Sequence, residues 1–143
     1  MNSHISKEFN EVLKLSKSKS EKCIEIFKEF KKVCEFVKIP AKCMIEIDKV
    51  LIDSDECIAL YEKSMDHCNE HLKKCDEAEC KRLFEKLMYS AKEGIKALSD
   101  VELECNHDLQ PCIDAVNLSE EKCKDFILIV DELLKKIDCQ PCC

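Results

Sequence analysis

The first forty residues place apolar and small side chains at alternating intervals of four and three residues, which is the spacing of a heptad seam. The seam consists of Phe9, Leu13, Ser16, Ser20, Cys23, Phe27, Phe30, Cys34 and Val37. This pattern predicts one helix over residues 6–38. The helix is expected to end before Pro40, because the residue that precedes a proline is pushed out of the helical region. Its weakest part is the run of alternating Ser and Lys over residues 16–20, because Ser favours caps and turns.

The remaining residues continue at helical spacing, and the residue types between the apolar runs favour helix starts. Further helices are expected over residues 41–52, 55–74, 77–98, 111–116 and 120–137, with a short helical turn that begins after Ser99. The expected N-terminal caps are Ser54, Asp76, Ser99 and Ser119, while Pro111 suits the first turn of a helix. The sequence therefore predicts an all-α fold. We expect one disulfide-rich helical bundle of about five or six helices, with a single domain spanning residues 1–143 and a short free C-terminal tail at 139–143.

Composition excludes several other classes of protein. The chain has one Gly, three Pro and no Thr, whereas an all-β fold needs many turns and β-branched strands. Its longest apolar run, residues 126–130, is too short for a membrane-spanning helix. The net charge of −7 argues against nucleic-acid binding, which depends on neutralised phosphates. No catalytic triad order, glycine-rich phosphate loop or paired-carboxylate signature is present, so we expect a protein that is not an enzyme and needs no cofactor.

Charge is distributed unevenly along the chain. Residues 1–42 carry ten Lys against six acidic residues, whereas residues 43–143 carry 13 Lys and Arg against 24 acidic residues. We expect the basic first helix to dock on the acidic remainder. The alternative is a basic face for an anionic partner.

Thirteen cysteines are the most informative feature of the chain, since this density is typical of disulfide scaffolds. Twelve are expected to form disulfides: Cys23, Cys34, Cys43, Cys57, Cys68, Cys75, Cys80, Cys105, Cys112, Cys123, Cys139 and Cys142. The odd one, assigned to Cys143, is expected to be unpaired or to link two chains as a homodimer. Residues 1–8 contain no signal-peptide core, so we interpret the chain as numbered from a mature secreted start. Asn117 begins a glycosylation sequon at an expected loop, which supports secretion.

The spacing of the cysteines leaves two sets of bridges open. The intervals from Cys57 to Cys68 to Cys75 are eleven and then seven residues, and those from Cys105 to Cys112 to Cys123 are seven and then eleven. Two antiparallel segments carrying these runs would bring the cysteines opposite one another as a ladder. The ladder pairs Cys57 with Cys123, Cys68 with Cys112 and Cys75 with Cys105. The rival set, a helical hairpin, pairs Cys23 with Cys68 and Cys34 with Cys57. The sequence alone does not decide between these sets.

The four cysteines of this hairpin, Cys23, Cys34, Cys57 and Cys68, resemble the twin-cysteine helical hairpins of the mitochondrial intermembrane space. That resemblance implies an oxidised helical protein of this compartment, as the alternative to secretion. Cysteines at intervals of seven and eleven would also line the interior of a bundle, an arrangement similar in outline to the helical copper-storage proteins. This second resemblance implies free thiolates that bind or store Cu(I) or Zn.

Two short motifs have more than one interpretation. His67, Glu70 and His71 fit the inverted zinc-protease pattern His-x-x-Glu-His, which we interpret as a solvated helix face. Cys139 and Cys142 form a Cys-x-x-Cys pair behind a helix, where the negative end of the helix dipole disfavours a reactive thiolate. Neither motif is expected to carry catalysis.

The function expected from these observations is binding. Disulfide-bonded helices provide a durable surface, and the aromatic residues lie at core spacing. We expect a secreted, non-enzymatic protein that binds a receptor, another protein or a small apolar ligand, with no metal site, no nucleic-acid partner and no membrane span. The alternative is a thiolate-rich protein that binds or stores Cu(I) or Zn through free cysteines in a helical bundle.

Overall fold

The computed structural model describes residues 6–36 and 40–139, and these residues form long helices without a strand. The helices are α1 (Lys7–Lys31), which continues as a π-helical turn over Lys32–Phe36, α2 (Pro40–Lys74), α3 (Ala78–Glu104) and α4 (Leu109–Cys139). The predicted all-α fold is confirmed. The predicted helix count is wrong, since the described chain has four α-helices where five or six were expected.

The count differs because three serines that were expected to start helices lie inside them instead. Ser54 is within α2, Ser99 within α3 and Ser119 within α4. A serine N-cap stabilises a helix by only about 1 kcal/mol. The apolar seam continues past Ser54 and Ser119 and buries both completely, so packing outweighs the capping preference. Pro111 lies in the first turn of α4, where its missing N–H costs no hydrogen bond, and one helix therefore runs on through the expected break.

Side chains cap two of the helices at their N-termini. The Ser6 hydroxyl accepts a hydrogen bond from the Phe9 N–H at 3.1 Å, which fixes the start of α1. At α3 the cap is Glu77, one residue after the expected Asp76. The Glu77 carboxylate accepts hydrogen bonds from the N–H groups of Glu79 and Cys80, so its negative charge also lies at the positive end of the helix dipole.

The four helices form a ring in which each packs against two neighbours. The contacts join α1 to α2, α2 to α3, α3 to α4 and α4 to α1. Residues 75–77 and 105–108 are short connections, which make successive helices antiparallel in an up-down-up-down bundle. Helices α2 and α4 therefore run parallel to each other across the bundle axis. In their described parts, no Cα atom of one lies within 8 Å of a Cα atom of the other.

The predicted seam of α1 is confirmed along the whole helix. Its buried residues are Phe9, Leu13, Ser16, Ser20, Cys23, Phe27 and Phe30, and Cys34 follows in the π-helical turn at 4 % exposure. Val37, the last expected member of the seam, lies outside the described residues. The Ser and Lys run of residues 16–20 does not interrupt α1, because both seam serines are hydrogen-bonded in the core.

Tyr61 is the largest fully buried side chain and packs against three other helices. Its ring stacks on Phe126 of α4 with the ring centroids 4.0 Å apart. On α3 it lies against Gly94, where an added Cβ would come within 2.5 Å of the ring. Its hydroxyl meets Ser20 of α1 at 2.6 Å. The one glycine of the chain is therefore required by the close approach of an aromatic ring.

The basic first helix docks on acidic side chains of its two neighbours, as expected from the charge distribution. Lys17 pairs with Asp131 of α4 at 2.7 Å. Lys31 pairs with Glu120 of α4 at 2.9 Å. On the other side of α1, Lys19 pairs with Asp53 of α2. Ion pairs therefore lie along both interfaces of α1, with α2 and with α4.

Three further predictions concern the surface and the C-terminus. Asn117 is exposed but lies inside α4, so the loop expected at the sequon is wrong, and its Oδ1 accepts a hydrogen bond from Lys31 at 2.8 Å. Helix α4 extends to Cys139, which shortens the expected tail, and Cys142 and Cys143 lie outside the described residues. Among the described helices, none is long and apolar enough to cross a membrane.

Candidate functional site

Disulfide bridges join the helices at their junctions. Cys34 bonds to Cys43 across the α1–α2 junction, with Cα atoms 4.9 Å apart. Cys105 bonds to Cys112 across the α3–α4 junction, with Cα atoms 4.4 Å apart. Because successive helices are antiparallel, these two bridges lie at the same end of the bundle. Cys75 and Cys80 flank the α2–α3 junction at the opposite end and are also disulfide-bonded.

These bridges differ from the ladder that the cysteine spacing suggested. Two of its rungs, Cys57 with Cys123 and Cys68 with Cys112, would join α2 to α4. Those helices lie across the bundle axis with no Cα atoms within 8 Å, whereas a disulfide needs Cα atoms no more than about 7 Å apart. The third rung would join Cys75 and Cys105, which lie at opposite ends of α3.

The rival hairpin set is not formed either. Cys34 lies in the π-helical turn after α1 and is bonded to Cys43 at the start of α2, and not to Cys57. Cys23, Cys57 and Cys68 carry no bridge. The twin-cysteine resemblance therefore does not extend to the pairing of these residues.

Four cysteines that were expected to form disulfides are free thiols in the structure. Cys23, Cys57, Cys68 and Cys123 are fully buried in the hydrophobic core. They occupy seam positions inside helices α1, α2 and α4. Bridged and free cysteines both line the core, but the two described bridges lie at helix junctions.

Three of these thiols form what we call the core thiol cluster: Cys23 of α1, Cys57 of α2 and Cys123 of α4. The Cys57 thiol interacts electrostatically with both of the others. The Cys23 thiol also donates to the backbone carbonyl of Asp53 at 3.3 Å. The cluster brings sulfur atoms from three helices together in the interior of the bundle.

Hydroxyl groups adjoin the core thiol cluster on one side. The Ser20 Oγ lies 4.0 Å from the Cys57 Sγ. Because the Ser20 hydroxyl donates to the Ser16 carbonyl at 2.7 Å, it accepts its hydrogen bond from the Tyr61 hydroxyl. Sequence analysis missed this polar centre, although two serines at seam positions were its visible signal.

The neighbouring thiols of Cys123 and Cys23 lower the pKa of Cys57. Proximity to Cys57 and burial raise the pKa of Cys23 and that of Cys123, because a second thiolate would lie beside the first. Cys68 lies apart from the cluster, and burial raises its pKa to about 12. One thiolate in the cluster therefore forms far more readily than two.

The His-x-x-Glu-His motif is part of the packing at the start of α1. His67 stacks on Phe9 with the ring centroids 5.3 Å apart, and His71 lies against the same ring at 4.8 Å. The His71 Nε2 accepts a hydrogen bond from the Ser6 N–H at 3.2 Å, so its Nδ1 is the atom that donates to the His67 carbonyl. Across residues 6–36 and 40–139, no group of three or more His, Cys, Asp or Glu residues is arranged to hold a metal ion.

The surface carries a groove between α3 and α4 with a volume of about 340 Å³, which we call the α3–α4 groove. Its lining residues are Lys86, Tyr89, Ser90, Glu93, Lys122, Asp125, Leu128 and Ile129. Tyr89 and Leu128 are each 68 % exposed. Ion pairs cross the groove, with Lys86 bonded to Glu132 at 3.4 Å and Lys122 to Glu93 at 3.8 Å.

A second groove, of about 560 Å³, lies between α2 and α3. It is lined by Glu62, Met65, Asp66, Lys92 and Ile95. Three of these five side chains, Glu62, Asp66 and Lys92, are charged. The α3–α4 groove has the larger exposed apolar side chains.

Comparisons of the chain with protein families, with curated proteins and with solved structures found no match. Its function is therefore inferred from its own residues. Two features have the chemistry to support one: the α3–α4 groove on the surface and the core thiol cluster in the interior.

Proposed function

We propose that the protein is a secreted, non-enzymatic helical module that binds a protein partner through the α3–α4 groove. The observation that carries this proposal is the pair Tyr89 and Leu128, which are each 68 % exposed and both line the α3–α4 groove. Exposing large apolar surfaces of side chains to water costs free energy, and a bound partner would bury these surfaces.

The composition of the groove matches that of a protein interface. Tyrosine is among the residues that most often dominate binding energy, and it does so in apolar pockets surrounded by polar groups. Here Tyr89, Leu128 and Ile129 supply apolar surface, while the ion pairs of Lys86 and Lys122 supply the polar rim. A protein is favoured over a small apolar ligand, because sites for such ligands enclose most of the ligand and this groove is open along the surface.

Secretion is supported by the bridges at the helix junctions. Disulfides form and persist in oxidising compartments. The bridges Cys34–Cys43 and Cys105–Cys112 close short loops and hold both helix pairs at one end of the bundle.

The mitochondrial intermembrane space remains the alternative compartment. A disulfide-linked homodimer through Cys143 remains a proposal, which a mass measurement without reductant would test.

The test of the binding proposal is saturable binding of labelled protein to intact cells that display surface proteins. The informative variants are Tyr89→Lys and Leu128→Lys, which place a charge among the exposed apolar side chains of the groove. We expect each to weaken binding at least tenfold, because hot-spot residues carry most of the binding energy of an interface.

The matched controls are Leu15→Lys on α1 and Ile52→Lys on α2, whose side chains are exposed by 58 % and 60 %. Both should bind as the unchanged protein does. Equal binding by the groove variants and the controls would contradict the proposal, as would the absence of any saturable binding.

A second candidate function is thiolate metal binding. It is favoured by one observation, the presence of four free thiols inside the bundle, three of which meet in the core thiol cluster. This function would use the interior of the bundle and leave the α3–α4 groove unoccupied.

A further inference from the structure

The groove of about 560 Å³ between α2 and α3, which we call the α2–α3 groove, is lined by charges that have no partners within the described chain. On α2 it presents Glu62 and Asp66, which are both exposed and lie one helical turn apart. On α3 it presents the exposed Lys92. None of these three side chains forms an ion pair with a residue in 6–36 or 40–139. In the α3–α4 groove, by contrast, both lysines are ion-paired.

The carboxylates of the groove continue as an acidic stripe toward the end of the bundle that carries the two described disulfides. Asp55 precedes Glu62 by two helical turns on the same face of α2. Glu102 of α3 lies beside Asp55, and burial together with that neighbouring carboxylate raises the pKa of Glu102. At about 1.5 Å per residue, the acidic stripe from Asp55 to Asp66 is about 16 Å long. Its four carboxylates face one cation, Lys92, so negative charge predominates along the whole groove.

Apolar side chains lie between these charges. Met65 of α2 and Ile95 of α3 line the groove, are half-buried and pack against the hydrophobic core. An apolar patch between charged groups suits an amphipathic segment, because apolar contact contributes affinity and the charges select and orient the partner. A ligand that fits this groove therefore carries positive charge on either side of an apolar group.

We propose that the α2–α3 groove docks a basic amphipathic helix of a partner protein. Arginine or lysine side chains of that helix pair with the acidic stripe, while one apolar side chain rests on Met65 and Ile95. Charge complementarity selects this occupant, because a cationic segment relieves the repulsion between the carboxylates and an anionic or neutral one does not. A helix suits the site, since the groove between two helices accepts the side-chain ridge of a third.

A second copy of the chain is a poorer fit for the acidic stripe. The basic part of the chain is α1, and three of its lysines, Lys17, Lys19 and Lys31, already pair with carboxylates of α2 and α4 in the same chain. The basic helix is therefore expected to come from another protein.

The experiment is a titration of the full chain, with its bridges intact, into a fluorescently labelled probe peptide whose anisotropy reports binding. The probe is a capped peptide of about fifteen residues, with a central leucine and with arginines one and two helical turns to either side on the same face. A second probe has the same composition in scrambled order, which keeps the charge and removes the amphipathic face.

The groove variant is Glu62→Gln combined with Asp66→Asn. Its matched control on α1 is Glu21→Gln combined with Glu25→Gln, which also changes two exposed residues one turn apart and alters the net charge equally. We expect the groove variant to bind the probe about threefold to tenfold more weakly, because each exposed ion pair contributes modestly, and the control to bind as the unchanged protein does. Lys92→Gln should strengthen binding, because it removes the cation from the groove.

Equal loss of affinity in the groove variant and the control would overturn the proposal, because general attraction to an acidic protein would then explain the binding. So would equal binding of the two probes, or no saturable binding of either. Self-association of the unchanged protein that the groove variant abolishes, measured by sedimentation, would assign the groove to a second copy instead. Tyr89→Lys leaves this groove unchanged, so the proposal for the α3–α4 groove and this one can fail separately.

Discussion

Tyr61 reaches three other helices from its position on α2. Its hydroxyl bonds to Ser20 of α1, its ring stacks on Phe126 of α4, and its edge lies against Gly94 of α3. Because protein interiors are close-packed, a ring held on opposite sides in this way cannot move aside when a neighbouring residue is replaced by a larger one.

The contact between Tyr61 and Gly94 predicts that Gly94→Ala destabilises the protein. Alanine improves helix propensity by up to about 1 kcal/mol. Overpacking a core costs about 1–3 kcal/mol, and here the added Cβ would lie 2.5 Å from an aromatic carbon that Phe126 prevents from shifting. We therefore expect a net loss of about 1–2 kcal/mol in the free energy of unfolding, measured by chemical denaturation.

The matched control for Gly94→Ala places the same change in a Tyr61→Leu background. With the ring removed, the helix propensity of alanine should dominate and the change should stabilise the protein slightly. A stabilising effect of Gly94→Ala in the unchanged background would show that the ring does not constrain this position.

At the scale of the helices, α2 and α3 meet at a pair of carboxyl groups. Burial and the neighbouring Asp55 raise the pKa of Glu102. A carboxyl group whose pKa is higher in the folded state lowers stability at neutral pH, where it is ionised in both states. That cost disappears as the pH falls and the group becomes protonated in both states.

The carboxyl pair predicts that Glu102→Gln increases stability at neutral pH. The expected gain is below about 1 kcal/mol, because the side chain is partly solvated. Thermal unfolding as a function of pH measures it, and the difference from the unchanged protein should shrink as the pH falls towards the ordinary carboxyl pKa of 4.5 and vanish below it. Glu104→Gln is the matched control, since it changes the net charge equally, and an equal gain in both variants would attribute the effect to net charge.

Some features of the helices can be predicted from the sequence and others cannot. The seam of α1 was predicted residue by residue, because helical periodicity is a local property of the chain. The breaks expected at Ser54 and Ser119 were wrong, because a cap preference is weak beside the burial of a continuous seam. The contact of Gly94 with Tyr61 and the meeting of Cys57 with Cys123 depend on which helices face each other, and no local pattern contains that information.

At the scale of the whole molecule, the cysteines divide by their position along the bundle axis. Those at the helix junctions are bridged, and the two described pairs are separated by only nine and seven residues in sequence. Closing such short loops stabilises the folded state by about 2–3 kcal/mol per bridge in the chain-entropy treatment. Those in the middle of the helices are free and line the core. The ring order of the helices excludes a bridge between Cys57 of α2 and Cys123 of α4, since it separates these two helices.

The central claim is that Cys34 pairs with Cys43 and Cys105 with Cys112, each across one helix junction, while Cys23, Cys57, Cys68 and Cys123 stay free thiols. The most direct measurement is a disulfide map of the protein as isolated, from mass spectrometry of peptides prepared without reductant and alkylated before and after denaturation. The account predicts linked peptides for Cys34 with Cys43 and for Cys105 with Cys112, together with thiols at Cys57 and Cys123 that react only after denaturation. A bridge from Cys34 to Cys57 or from Cys112 to Cys68 would contradict it.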